Sequence, residues 1–289
     1  MSLSILSVQL LTGLTYGMLF FLIAVGLSII LGVMNIVNLS HGTFFMLGGY
    51  ISFSLLNGKV SFWLAIVVSV IAMAIFGVIV ERFLLKNSYG KELEQVLLTF
   101  GLAFMLADGV KWIWGTDLHM LPTPALLDTS IPMGNVAFPV YRLFVVLVGA
   151  VIAIFLWYME TRTRIGSMIR AGVDDREMVS ALGIKVNLLF SGVFAFGAGL
   201  AGLSGVLGGP IIGMYPGMDS DILVTSLIVV VIGGLGSWKG SFVSAILVGL
   251  IETLGKVWFP ALSMVIIFLL MIAVLMIKPS GLFGRRNVI

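Results

Sequence analysis

ETRTRIGSMIRAGVDDREMVSALGIK, residues 160–185, carries nine charged side chains, Glu160, Arg162, Arg164, Arg170, Asp174, Asp175, Arg176, Glu177 and Lys185. The whole chain has 29, so close to a third of its charge lies in one island between long apolar runs. Such an island is a water-side platform. Within it, Asp174 followed three residues on by Glu177 is an acidic variant of the capping box, in which the first side chain accepts from an orphan backbone N–H and the second reaches back. Met178, Ala181 and Leu182 then recur at i, i+3 and i+4, and Gly183 is placed to release the chain through a left-handed turn. The spacing predicts a short cytoplasmic helix over about 174–184. Its apolar face has no soluble domain to cover it, so a second protein is expected to do so.

Outward from the platform the chain is apolar. Its 289 residues are 60% hydrophobic and 10% charged, with a mean hydropathy of +1.19, which excludes a water-soluble globule. Several runs reach the 18 or so apolar residues that a transmembrane helix needs. The fold class expected is an all-α polytopic membrane protein, one transmembrane domain over 1–289. The absence of cysteine rules out disulfides and thiolate metal sites. The opening MSLSILSVQLL lacks the basic region of a cleavable signal and is read as part of the first span.

Residues 1–58 contain no Lys, Arg, Asp or Glu. Spans are expected at about 8–32 and 40–56, with a break between them at NIVNLSHGT (35–43), too polar for lipid and too poor in charge for an ordinary loop. A broken helix near 33–56 fits, its freed backbone groups satisfied inside protein. Further spans fit at about 61–80, 95–114, 142–159, 188–209, 222–237, 240–257 and 262–277, eight or nine in all depending on 33–56. A charged loop covers 81–94, an irregular external loop 115–139, and a Pro-Gly loop 210–221. Placing 81–94, 160–187, Lys239 and the C-terminal tail in the cytoplasm puts 12 of the 16 Lys and Arg inside. The N-terminus is then external. The segment MLGGY (46–50) with its following span to Glu81 resembles IGGLG (232–236) with the span containing Glu252. On this topology the two units point oppositely, as inverted repeats of transporters do; chance similarity of glycine-containing apolar runs is the alternative.

No GxxxxGK[ST] occurs, so the chain has no phosphate-cradling loop. The two histidines, His41 and His119, lack any metal-ligand spacing, and Ser40 beside His41 has no third group to orient a catalytic pair. Intramembrane polar residues are the remaining candidates. Asp108 and Lys111 can pair at i, i+3. Glu252 has no such partner by sequence and is read as lining a path or pairing with a neighbouring helix or a second subunit. Asn38, Ser40, His41 and Thr43 sit where the helix breaks, where exposed backbone ends can bind a zwitterionic or anionic solute or simply cap the break. With Glu252 they form the candidate translocation path.

Several blocks resemble one family: GLSIILG (26–32), NLSHG (38–42) with Gly48-Gly-Tyr50, Arg170-Ala171 with Asp175, Met178, Ser180 and LGI (182–184), and GGLGS (233–237) with Gly240. The chain is similar to the permease subunits of bacterial branched-chain amino acid ABC importers of the LivH type. The resemblance implies two permease chains, identical or homologous, two cytoplasmic ABC ATPase subunits and an extracytoplasmic solute-binding protein, in the bacterial inner membrane. It implies no cofactor in this chain, ATP and Mg being used by the ATPase, and no enzyme activity of its own. By the same analogy the helix at 174–184 docks on the ATPase through Asp174, Asp175, Glu177, Met178, Ala181, Leu182 and Gly183, with Val179 where the family often has alanine. Substrates of such systems include branched-chain amino acids, aromatic acids, amides and urea. An ion-coupled secondary transporter, using Glu252, Asp108 or His41, is the rival reading.

Overall fold

The computed structural model describes residues 3–134, 136–164, 166–168 and 186–284. The helix expected at 174–184, with all seven of its named residues, lies outside the described residues. Nine α-helices occur among those described: α1 (Leu3–Met34), α2 (His41–Asn57), α3 (Phe62–Val80), α4 (Glu92–Trp114), α5 (Val140–Arg162), α6 (Val186–Ile212), α7 (Met218–Gly233), α8 (Trp238–Trp258) and α9 (Ser263–Ile277). The only strands among them, β1 (Ser130–Met133) and β2 (Val136–Pro139), pair antiparallel. The all-α expectation therefore holds, but the 115–139 loop is less irregular than expected. It contains this hairpin, and His119 and Met214 exchange backbone hydrogen bonds of 2.9 and 2.8 Å that tie it to the loop after α6.

Six helices are long and apolar enough to cross a membrane: α1, α3 with its extension to Ser88, α4, α5, α6 and α8. The other three are short, 17 residues in α2, 16 in α7 and 15 in α9. α1 is hydrophobic all round because it is surrounded by protein, and residues 17–28 are all buried. α3, α4, α5 and α9 instead carry exposed Ile, Leu, Phe and Trp side chains, the composition of a lipid-facing surface.

Lipid gives helices no hydrophobic reason to associate, so close packing must supply it. Glycines do this along α1, α2, α6 and α8. A Cβ on Gly26 would lie 2.7 Å from the Gly197 carbonyl oxygen, one on Gly48 2.5 Å from the Gly202 Cα, and one on Gly17 2.9 Å from the Ile246 Cα. Backbones meet where side chains would keep them apart.

α1–α3 and α6–α8 hold equivalent places. α1 packs on α8 as α6 packs on α3, while α1 meets α6 and α2 meets α7 at the centre. The repeat suggested by sequence is thus present between elements, but its residue register is different. MLGGY (46–50) lies inside α2, whereas IGGLG (232–236) straddles the end of α7; Glu81 follows the last residue of α3, whereas Glu252 lies six residues inside α8. α7 also starts and stops four residues earlier than expected, because Gly234 at φ +98° ends it.

Candidate functional site: a buried helix break

One end of the molecule gathers the C-terminus of α1, the start of α4, the end of α5, the turn between α7 and α8 and the tail. Asn35 Nδ2 reaches Glu92 Oε1 (3.4 Å), Trp238 Nε1 donates to Glu160 Oε2 (2.7 Å), and Leu282 N donates to the Ile232 carbonyl (2.8 Å). Lys239 lies 3.7 Å from the same Glu160. Between them is a cavity of about 310 Å³ bordered by Ile29, Val33, Leu156, Met159, Gly166 and Trp238 among others.

From this end the chain climbs back into the bundle. Asn35 leaves α1 at φ +53°, the left-handed region that Asn tolerates. Asn38 then folds an Asx turn, its Oδ1 accepting from Ser40 N (3.1 Å) and Ser40 Oγ (2.7 Å), while Leu39 N donates to Thr99 Oγ1 on α4 (3.2 Å). Beyond the exposed Asn35 the irregular segment is buried or half-buried in protein, as a non-helical stretch inside a membrane bundle must be. Asn38, Ser40, His41 and Thr43 are all buried.

α2 starts well inside the bundle. His41 Nε2 lies 3.1 Å from the Ile23 carbonyl of α1. A carbonyl only accepts, so Nε2 carries the proton and Nδ1 is left as an acceptor, which has no partner. Ile23 is 11 residues before the end of α1, about 16 Å along the helix and roughly half the thickness of a hydrocarbon core. Gly42, next in line, sits so close to α7 that a Cβ there would collide with the Asp219 carbonyl oxygen and lie 2.9 Å from Leu223 Cβ. The structure thus keeps Asn38, Ser40, His41 and Thr43 together, buried beside the middle of α1.

Glu252 is not with them. It has the local partner that sequence reading did not assign, Lys256 one turn on, with Nζ 2.5 Å from Oε1. Lys256 Nζ also lies 5.6 Å from the Tyr16 ring centroid, and Tyr16 is seven residues from Ile23 along α1, about 10 Å. Glu252 belongs to the seam between α1 and α8, away from the end where α1 stops, though its Oε2 is buried without a partner. Asp108 and Lys111 do form the expected i, i+3 pair at 2.9 Å, both exposed.

Two acidic residues escaped the sequence reading. Glu81, placed there in a charged loop, is 1% exposed and accepts from the Tyr89 hydroxyl and from Ser191 Oγ (2.5 Å) on α6. Asp219, placed in a Pro-Gly loop, is in the first turn of α7 and 7% exposed. The signal available for it was an acidic pair, Asp219 and Asp221, just after Gly217, the composition of a helix start. Asp221 itself is exposed and accepts from the Tyr215 hydroxyl at 3.3 Å; burial first, and then the Asp221 charge, push the Tyr215 pKa up.

The expected broken helix is instead a turn-back, with α2 starting beside Ile23 of α1; an α-helical, multi-pass membrane protein with a helix end at buried polar groups inside the bundle is an architecture in which solute paths are built. The chain belongs to the family of permease components of branched-chain amino acid transport systems, whose model matches residues 9–275. It is 28% identical over 297 residues to the high-affinity branched-chain amino acid transport system permease protein BraD of Pseudomonas aeruginosa, and 26% over 305 residues to LivH of Escherichia coli. Each alignment covers 97% of this chain and 96% of the relative. The Escherichia coli permease protein LivM is 24% identical over 294 residues, covering 93% of this chain and 68% of LivM. No solved structure matches.

Proposed function

We propose that this chain is the membrane subunit of an ABC importer that carries branched-chain, hydrophobic amino acids by alternating access. The observation that carries the reading is the family match over 9–275, together with relatives named as branched-chain amino acid transport permeases along 96% of their length. The chain acts as a single permease domain without a cofactor. ATP and Mg are used by separate ABC ATPase subunits, and an extracytoplasmic binding protein delivers the solute. A homologous second permease pairs with it. Two different permease proteins of Escherichia coli both resembling this chain support that arrangement.

In the bacterial inner membrane, 160–187 and the C-terminus face the cytoplasm, where the helix at 174–184 meets the ATPase. Asn38, Ser40, His41 and Thr43 line the path at mid-depth, and Glu252, in its ion pair, stands toward the outer mouth. The test is uptake of radiolabelled leucine into proteoliposomes holding the assembly and loaded with ATP, with the binding protein outside. ATP-dependent uptake that is lost on reversing the charge of Asp175 and Glu177, with the ATPase no longer co-purifying, is expected. Uptake that continues without ATP and collapses with an ionophore would show an ion-coupled carrier instead. Uptake of an aromatic acid, amide or urea in place of leucine would move the substrate within the same mechanism.

A further inference from the structure

α4 is apolar enough to span a membrane, yet only 11% of its span is buried, the lowest share among the six spanning helices. Its buried residues, Gln95, Thr99, Leu102 and Val110, lie along one side. Along the opposite side Leu97, Gly101, Met105, Asp108 and Trp112 follow at intervals of four, four, three and four residues, and all five are exposed. One of them is an acid.

Asp108 stands in this stripe with 68% of its side chain exposed. It lies about 24 Å along the helix from Glu92 and about 9 Å short of Trp114, where α4 ends. A hydrocarbon core of about 30 Å laid along α4 takes it in. Lys111 has a long stem with which to reach toward a headgroup layer, but Asp108 has a single methylene and does not. Their 2.9 Å ion pair cancels the net charge without taking either group off the apolar face. Of the four helices with apolar outward faces, α3 and α9 contain no charged residue and α5 has them only near its ends. Lipid covers those three well and α4 badly.

A cover that suits α4 brings polar groups of its own to the same depth. A second chain of this fold, related by an axis along the membrane normal, does so: its α4 stands at equal height, and the acid and base of each pair meet the base and acid of the other, as in a self-complementary two-fold interface. Gly101, with open space where a Cβ would be, allows a close approach. The polar strip also continues beyond α4. The Lys111 charge is felt at Asp219, in the first turn of α7, and Asp221 beside it is exposed.

We propose that the outward stripe of α4, from Gly101 through Met105 and Asp108 to Trp112, is the seat of the second permease chain, which covers the Asp108–Lys111 pair. This rests on the two-permease reading above and adds the face on which the two chains meet.

The experiment is photo-crosslinking in the complete transporter in its native membrane, with p-benzoylphenylalanine in place of Met105 on α4 and, in separate variants, of Ile71 on α3, Ile154 on α5 and Leu269 on α9. Adducts are identified by mass spectrometry. Met105 is expected to yield a permease–permease adduct at least fivefold more than any of the other three positions. A stronger permease adduct from α3, α5 or α9, or adducts of Met105 with lipid alone, with the ATPase or with the binding protein, would overturn the assignment and leave the permease reading standing. A transporter that contains one permease chain would overturn the two-permease reading and the interface with it. Gly101→Phe, in a chain that melts like the wild type when expressed alone, is expected to lower co-purification of the second permease at least fivefold. Full retention by that variant would overturn the close approach at α4.

Discussion

A carboxylate taken out of water needs donors, and Glu81 has found two, on Tyr89 and Ser191. The bonds tie the end of α3 to the segment before α4 and to the first turns of α6. Glu81→Leu would leave both hydroxyls without this acceptor, at about 1–3 kcal/mol for each orphaned group, whereas Glu81→Gln keeps an oxygen in place. Thermal unfolding of the purified protein in detergent should show the leucine variant clearly below the glutamine one. Much of the deficit should vanish when Tyr89→Phe and Ser191→Ala remove the hydroxyls; an unchanged deficit in that background would place the cost in packing instead. None of this was legible in the sequence. Glu81 opens a charged run next to Arg82, which is exposed, and the π-helical turn over Glu81–Leu85 is a departure from the 3.6-residue period that no apolar pattern announces. The break at 35–40 was legible for the opposite reason. Asn, Ser, His and Thr in an otherwise uncharged stretch cannot face lipid, and only a covered, irregular segment accommodates them.

For whole helices, hydropathy identifies a span but not what surrounds it. α4 and α6 were read alike as spans, yet α4 is mostly exposed while α6 is packed against α1, α2 and α3. The difference lies in where their glycines stand. Gly101 and Gly109 of α4 have open space at the Cβ position, whereas Gly202 of α6 faces Met73 side-chain atoms at 2.7 Å and Gly205 faces the Phe45 backbone carbonyl. Flexible Met73 can give way; a carbonyl in a packed helix cannot. Gly109→Ala should therefore be neutral or stabilising by about 0.5–1 kcal/mol, the helix-propensity gain. Gly205→Ala should cost about 1–3 kcal/mol or more, through the backbone shift that overpacking forces. Yield of monodisperse protein on gel filtration, followed by thermal melting, separates them. Comparable behaviour of the two variants would mean that α2 and α6 do not meet as closely as here. The same limit of hydropathy explains the register miss at α7. Its apolar run continues past Gly233, so only the left-handed backbone at Gly234, a local steric fact, fixes the end.

Over the whole molecule, charge decides which way the bundle points. Lys59 and Arg142 lie toward the end where Trp114 Nε1 meets Ser54 Oγ and Arg142 meets Thr12 Oγ1, while Arg82, Lys86, Lys91 and Lys239 lie toward the other. By the positive-inside rule the second end is expected to face the cytoplasm. The chain contains no cysteine, so an introduced thiol is unique. Lys59→Cys and Lys86→Cys replace exposed residues in the α2–α3 and α3–α4 connections, on opposite sides of a single span. Expressed in cells without partner subunits, the first should react with a membrane-impermeant maleimide added outside, and the second only after permeabilisation. The reverse pattern would do more than invert a topology. It would put the end of α5, which lies at the same end as Lys86, on the side without ATP, and an importer driven by ATP at that end would be physically impossible.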